Sequence, residues 1–180
     1  VIGDSTFLHS GIASLLNMAY NNSDALIIIL DNSTTAMTGM QEHPGTGYTL
    51  MGKDAKKINL NVLVSALGIE NIRVINPNNI KEAQSAIKDE LASNGPSVII
   101  SQSPCVLFKR ANMKPVPPMK IDADKCEGCK SCLGLNCPPI AWKEGVTKEG
   151  SKRKGIAVID ETFCNGCGLC AQVCKFSAIR

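Results

Sequence analysis

The sequence predicts two units in series: an α/β unit on a parallel sheet, then a small α+β unit of two similar halves. Three observations predict it. Strand-length segments rich in Ile, Leu and Val at residues 25–30, 72–75 and 97–101 alternate with helical patterns at 11–21, 58–67 and 80–91. That alternation marks a parallel sheet with crossover helices. Eight of the nine cysteines lie in the last 55 residues. They fall in a repeat: Ile121-Asp122-x3-Cys126-x-Gly128-Cys129-x2-Cys132 returns 38 residues later as Ile159-Asp160-x3-Cys164-x-Gly166-Cys167-x2-Cys170.

Taken in order, Val1-Ile2-Gly3-Asp4-Ser5 reads as the end of a strand entering a glycine turn, with the opening strands of the domain missing before it. Residues 11–21 put Ile12, Leu15, Leu16 and Ala19 on one helical face. Residues 25–30 are an unbroken apolar run, expected as a strand buried on both faces. Asp31-Asn32 then stands at its C-terminal end, where open α/β sheets bind ligands. Residues 32–48, rich in Gly and Thr, read as an active-site loop. The helix over 58–67 closes at Gly68, and the strand at 72–75 ends at Asn76-Pro77. Over 80–91, Ala83, Ala86, Ile87 and Leu91 point inward, and Asn94-Gly95-Pro96 stops the helix. The expected domains are 1–108, the partial α/β unit, and 121–180, the cysteine unit. Residues 109–120, with Pro115, Pro117 and Pro118, are an extended linker. Lysine-rich 142–154 reads as a hairpin with a solvated tip, or else as a docking surface for an acidic partner.

The first cysteine run is Cys126-x2-Cys129-x2-Cys132-x4-Cys137-Pro138; the second is Cys164-x2-Cys167-x2-Cys170-x3-Cys174. A C-x2-C-x2-C loop wraps three irons of a four-iron cubane, and in two-cluster ferredoxins the fourth cysteine belongs to the other run. One [4Fe–4S] cluster is therefore expected on Cys126, Cys129, Cys132 and Cys174, and the other on Cys164, Cys167, Cys170 and Cys137. Gly128 and Gly166 sit where each loop must curl tightly. Structural zinc prefers two C-x2-C knuckles to a triple run. Two departures from the ferredoxin pattern, an extra residue before Cys137 and Lys175 in place of proline after Cys174, remove no ligand. Cys105 lies outside both runs and is expected to be buried.

Gly3-Asp4-Ser5, then 26 residues, then Asn32 resembles the thiamine diphosphate motif, usually written GDG-x(22–28)-N. The spacing has a chemical reason: two neighbouring strand ends each deliver a hard oxygen to one Mg2+, which also takes phosphate oxygens. The resemblance implies Asp4, the Asn32 side chain and the Thr34 carbonyl as Mg2+ ligands, with Gly3 and Ser5 beside the diphosphate. A turn followed by a helix N-cap at Ser10 is the other reading of Gly-Asp-Ser.

The longer match is more specific. Gly3-Asp4-Ser5-Thr6-Phe7-x-His9-Ser10-Gly11-Ile12 and Leu30-Asp31-Asn32-x-Thr34-Thr35-Ala36-Met37-Thr38-Gly39-x-Gln41-x-His43-Pro44-Gly45-Thr46-Gly47 resemble the α subunits of indolepyruvate:ferredoxin oxidoreductases. The order of modules resembles them too, over essentially the whole chain. The resemblance implies oxidative decarboxylation of an aryl 2-oxoacid with coenzyme A, giving an arylacetyl-CoA and CO2. Electrons would pass through two [4Fe–4S] clusters to ferredoxin. It implies a partner β subunit, and an activating glutamate in a further part of the subunit that this chain lacks. His9 and His43 would face the reacting end of the cofactor and handle protons, since imidazole changes charge near neutrality; structural hydrogen bonds are the alternative. Thr38 and Gln41 are further candidates.

Charge adds an exclusion. Residues 1–113 carry nine acids and eight bases, and residues 114–180 carry seven and eleven. Two anionic clusters would cancel that second excess, so nothing argues for nucleic acid, and aromatics at 4% give little to stack bases on. No apolar run approaches a membrane span. Free thiolates fit a reducing, anaerobic cytoplasm. Two other functions fit the same residues: an electron carrier without catalysis, and the same chemistry on pyruvate or branched 2-oxoacids.

Overall fold

The computed structural model describes residues 1–108 and 116–180. The chain forms two compact units, Val1–Met113 and Lys114–Arg180. Most of the expected linker, residues 109–115, lies outside the described residues. No helix among the described residues is long and apolar enough to cross a membrane.

The first unit is a four-stranded parallel sheet in the order β1-β2-β4-β3. Its strands are β1 (Ile2–Gly3), β2 (Leu26–Asp31), β3 (Asn71–Ile75) and β4 (Ser97–Gln102). Strand period sorts the apolar side chains to two faces. Val98 and Ile100 of β4 join Phe7, Leu15, Ile29 and Val64 in one core, while Ile99 joins Ile75 and Ala86 in another. Helices α2 (Ile12–Tyr20) and α3 (Leu60–Ala66) contribute to the first core, and α4 (Ile80–Leu91) to the second. Asn59 and Asn79 cap α3 and α4 by accepting backbone N–H bonds of the first turn.

Several expectations need correction. The first helix begins at Asp4, immediately after β1: α1 (Asp4–Thr6) runs through a π-helical turn (Phe7–Gly11) into α2. Ser10 is therefore no N-cap; its hydroxyl donates to the Thr6 carbonyl. The wider turn brings Phe7 against Gly11, where a Cβ would lie 2.8 Å from the ring. Leu16 is exposed, because the helical face turned to the core is that of Ile12, Leu15 and Ala19. Leu91 is exposed at the last residue of α4, beyond the cluster of Ile75, Ala86 and Ile99. Strand β2 is not buried on both faces throughout, since Leu30 remains 46% exposed near its end. Cys105 is only partly buried; its N–H caps the carbonyl of Asn32.

The second unit is built on a hairpin, β5 (Ile140–Glu144) antiparallel to β6 (Gly155–Ile159). Its two halves interlock. Ile121 bridges Ile179 as Ile159 pairs with Ile140. Asp122 N–H donates to Ala178 O as Asp160 N–H donates to Pro139 O. Each chain segment entering a cysteine loop thus pairs with the segment leaving the other loop. The two halves differ in one respect: the second run leads into α5 (Leu169–Val173), but the first makes only a 3-10 turn at Leu133–Leu135. The extra residue before Cys137 is accommodated there, with Asn136 left-handed at φ 50°.

Candidate metal and cofactor centres

Asp4 and Asn32 each follow the end of a strand, and those strands, β1 and β2, are neighbours. Asp4 is buried at 3% exposure. One of its oxygens accepts Ser5 N–H at 2.7 Å; the other accepts Ser33 N–H at 3.0 Å and lies 3.4 Å from Nε2 of His43. Burial pushes the Asp4 carboxyl above its ordinary pKa; the Ser5 N–H and His43 oppose this, and the adjacent Asp31 carboxylate adds to it. Asp31, also buried, accepts Ser33 N–H and Gln102 Nε2. Two buried carboxylates thus lie side by side, and Asp31 makes ionising Asp4 more costly.

Around them the loop is tightly tied. Asn32 Oδ1 accepts Thr34 N–H at 3.2 Å, leaving a second lone pair free to bind. Thr34 is buried, and its hydroxyl faces the Gln41 carbonyl. The Thr35 hydroxyl donates to that of Ser5 at 2.9 Å, joining the two strand-end loops. Ser33, between Asn32 and Thr34, is held at φ 63°, a left-handed conformation that costs a non-glycine residue energy. Gly3 is the reverse case. Its φ of −73° suits any residue, and a Cβ there would touch nothing. Neither backbone nor packing demands glycine, which leaves room beside it as the remaining reason. The donor set and this open approach fit a metal-bridged diphosphate.

The two histidines part company. His43 is buried, with Nδ1 accepting Gly45 N–H at 3.1 Å, so in the neutral ring Nε2 carries the proton, toward Asp4. That Nε2 makes no hydrogen bond of good geometry; its contact with Asp4 is electrostatic. His9 is exposed on the π-helical turn, and its Nδ1 lies 2.7 Å from the Ser5 carbonyl. A carbonyl only accepts, so the neutral His9 ring keeps Nε2 unprotonated. Thr38 and Gln41 bond each other on the exposed loop.

In the second unit, Cys126, Cys129, Cys132 and Cys174 line one cavity, and Cys137, Cys164, Cys167 and Cys170 line another. The interlocking pairing brings each fourth cysteine across. Burial raises the thiol pKa of Cys132, Cys137 and Cys170, and neighbouring thiols of the same set raise it further. Cys129 goes the other way, lowered mainly by the Ser131 hydroxyl. Among the described residues, no three His, Cys, Asp or Glu side chains converge closely enough for a single metal ion. Four thiols spread around a cavity suit a polynuclear cluster, in which each binds a different iron. Gly128 and Gly166 have φ of 67° and 71°. A Cβ on them would lie 2.6 Å from Gly155 O and 2.5 Å from Pro117 O respectively.

Comparison with known proteins decides the family. The model of the thiamine pyrophosphate enzymes' C-terminal TPP-binding domain matches residues 1–101. The chain belongs to that family. A 4Fe-4S binding domain model matches residues 157–180, which contain the second cysteine run. Beyond this TPP-binding domain, similarity extends along the whole chain. It is 41% identical to an indolepyruvate oxidoreductase subunit IorA of Pyrococcus horikoshii and 42% identical to that of Thermococcus kodakarensis, in each case over 99% of this chain and 27% of the relative. The chain thus spans about a quarter of the length of these relatives. A solved 2-oxoglutarate:ferredoxin oxidoreductase from Magnetococcus marinus shares the fold, with a TM-score of 0.54 at 17% identity, over 96% of this chain and 60% of that one.

Sequence reasoning missed three participants. Asp31 was placed at the strand end but given no role; its signal was a second carboxylate beside Asn32. Arg153 and Glu127 tie the hairpin to the first cysteine loop, a contact with no local sequence signature.

Proposed function

We propose that this chain is part of the α subunit of a thiamine diphosphate-dependent 2-oxoacid:ferredoxin oxidoreductase acting on aryl pyruvates, indolepyruvate first among them. One observation carries the reading: a buried carboxylate and an asparagine at adjacent strand ends of a TPP-binding domain, in one chain with two four-thiol cavities. The match to IorA subunits supports the indolepyruvate assignment.

Asp4, Asn32 and the Thr34 carbonyl hold Mg2+, with Gly3 and Ser5 beside the diphosphate. His43, 3.4 Å from Asp4, opposes the effect of burial on that carboxyl and orients it, as partners of metal-binding groups commonly do. His9, with Nε2 free, is the group placed to accept a proton at the exposed end. Thiamine diphosphate supplies the carbanion chemistry of decarboxylation, while the protein binds and orients. The reaction balances as arylpyruvate and CoA to arylacetyl-CoA, CO2 and one proton, with two electrons leaving one at a time for two ferredoxins. Cys126, Cys129, Cys132 and Cys174 hold one [4Fe–4S] cluster on that route, and Cys137, Cys164, Cys167 and Cys170 the other. A β subunit completes the enzyme, and the nine free cysteines suit a reducing cytoplasm.

The test is anaerobic viologen reduction by the full-length chain with its partner subunit, supplied with thiamine diphosphate, Mg2+ and CoA. CoA-dependent turnover of indolepyruvate and phenylpyruvate, but not pyruvate, is expected. Turnover of pyruvate instead keeps the chemistry and changes the substrate. No turnover in protein that holds both clusters favours an electron carrier.

A further inference from the structure

The connection between β5 and β6 is more than a solvated tip. Arg153 reaches back from it to the first cysteine loop: Nη1 donates to Ala123 O at 2.6 Å and to Cys126 O at 2.5 Å, and Nη2 donates to Thr147 O at 3.2 Å. Its Nε is buried without a hydrogen-bond partner. Nearby, Lys148 pairs with Glu127 at 2.5 Å and donates to Asp124 O, while Ser151 donates to the other Glu127 oxygen. Two cations therefore reach a loop that carries Asp122, Asp124 and Glu127, and of these three carboxylates only Glu127 lines the cavity of the first cysteine set. Lys130 adds a third, 4.5 Å over the Trp142 ring, and Lys175 acts on Cys129. The cavity of Cys137, Cys164, Cys167 and Cys170 is different. Its wall is Met119, Pro139, Ile140, Leu169 and similar neutral residues, and among the described residues no charged side chain lines it.

Sulfur contacts occur in both sets. Ser131 Oγ lies 3.4 Å from Cys129 Sγ, and Ala178 N–H donates to Cys174 Sγ at 3.3 Å. In the second set, Met119 N–H donates to Cys164 Sγ at 3.4 Å. Nearby charge and hydrogen bonds to sulfur are the protein's means of setting a cluster's potential. Reduction adds a negative charge, so a fixed cation or an N–H dipole favours the reduced form.

We infer that Arg153, held by the hairpin, raises the reduction potential of the centre on Cys126, Cys129, Cys132 and Cys174 above that of the centre on Cys137, Cys164, Cys167 and Cys170. Electrons then collect at the first centre before they leave. This rests on the two-cluster reading above. Arg153 is a positioning residue: it touches loop carbonyls and acts on the cluster through its field.

The test is an anaerobic potentiometric titration of the full-length chain with its partner subunit, followed by electron paramagnetic resonance. A Cys129→Ser variant marks the first centre by its altered signal. In the wild type that centre should take the first electron. Arg153→Gln should lower its reduction equilibrium constant about tenfold, or about 59 mV for a one-electron couple, and leave the other centre unmoved. Arg153→Lys should retain most of the wild-type potential. An unmoved first centre in Arg153→Gln with full iron content, or a wild type in which the other centre fills first, overturns the inference. Should Arg153→Gln lose that cluster, the wild-type order and a Lys130→Gln variant, expected to fall about threefold, decide it. Protein that takes up no cubane cluster overturns the two-cluster reading, and this inference with it.

Discussion

Asp4 is the residue on which the cofactor site turns. Burial and the neighbouring Asp31 raise its pKa, while the Ser5 N–H and His43 oppose the rise. The consequence for stability has a definite sign. From about pH 4 upward, the folded state keeps a proton that the unfolded chain has lost, so without metal stability falls as pH rises through the raised pKa. Mg2+ needs the carboxylate, so its affinity should rise with pH over the same range and binding should release protons. Calorimetry of Mg2+–thiamine diphosphate binding in buffers of different ionisation enthalpy measures that release; none detected near pH 5 would refute the account. Asp4→Ala or Asn32→Ala should abolish binding. His43→Asn should weaken Mg2+ about 10–100-fold, the usual effect of removing a group that orients a ligand. Unchanged affinity in His43→Asn would leave that residue a packing role only.

At the level of elements, the two cysteine loops show why repeated sequence does not mean repeated structure. Both loops turn on a left-handed glycine with a carbonyl behind it, at Gly128 and Gly166. Either residue changed to Ala should strain its loop by about 1–3 kcal/mol and displace the backbone that presents three thiols. If each cysteine set holds one cluster, as proposed, iron analysis after anaerobic reconstitution should show about half the wild-type content in each single variant. Full iron in both would mean the loops tolerate the shift. What stands behind each loop differs, however: Gly155 and Arg153 of the hairpin for one, Val116 and Pro117 for the other. The helix opening the chain teaches a related point. Gly3-Asp4-Ser5 looks like a turn, yet β1 ends at Gly3 and the helix starts at Asp4 with no turn between them.

Across the whole molecule, the two units differ in what can hold them together. The first has buried apolar residues on both sheet faces, Ile29, Val98 and Ile100 on one and Ile99 on the other. The second has a core cluster in which two of the four buried members are Cys132 and Cys170. A unit this small, with ligands for a core, depends on its metal centres. Full-length protein prepared in air without clusters should therefore keep amide protection in the sheet over residues 26–31 and 97–102. Residues 119–180 should exchange rapidly. Native-like protection of that segment in the cluster-free protein would contradict this.

The sequence alone determined the features with a strong period or a fixed spacing. The helix over 80–91 matches its structure to the residue, since its apolar period and its Asn79 cap agree. The strand at 97–101 was plain from its Val98-Ile99-Ile100 centre, and in the structure it runs one residue further, to Gln102. The TPP-binding family was legible from Gly3 to Gly47, because a ligand motif at two strand ends fixes both residue type and spacing, and the TPP-binding domain model matches residues 1–101. The cysteine sets were legible for the same reason, and each set does line one cavity. Only the tertiary structure decided which apolar residues stay exposed, as Leu16 and Leu91 do, because that depends on where neighbouring elements end. It also decided that Asp31 lies beside Asp4, that His43 is turned inward to it, and that Arg153 braces a loop 27 residues earlier. Contacts between distant segments leave no periodic mark in the chain, and burial and electric field exist only once those segments are packed together.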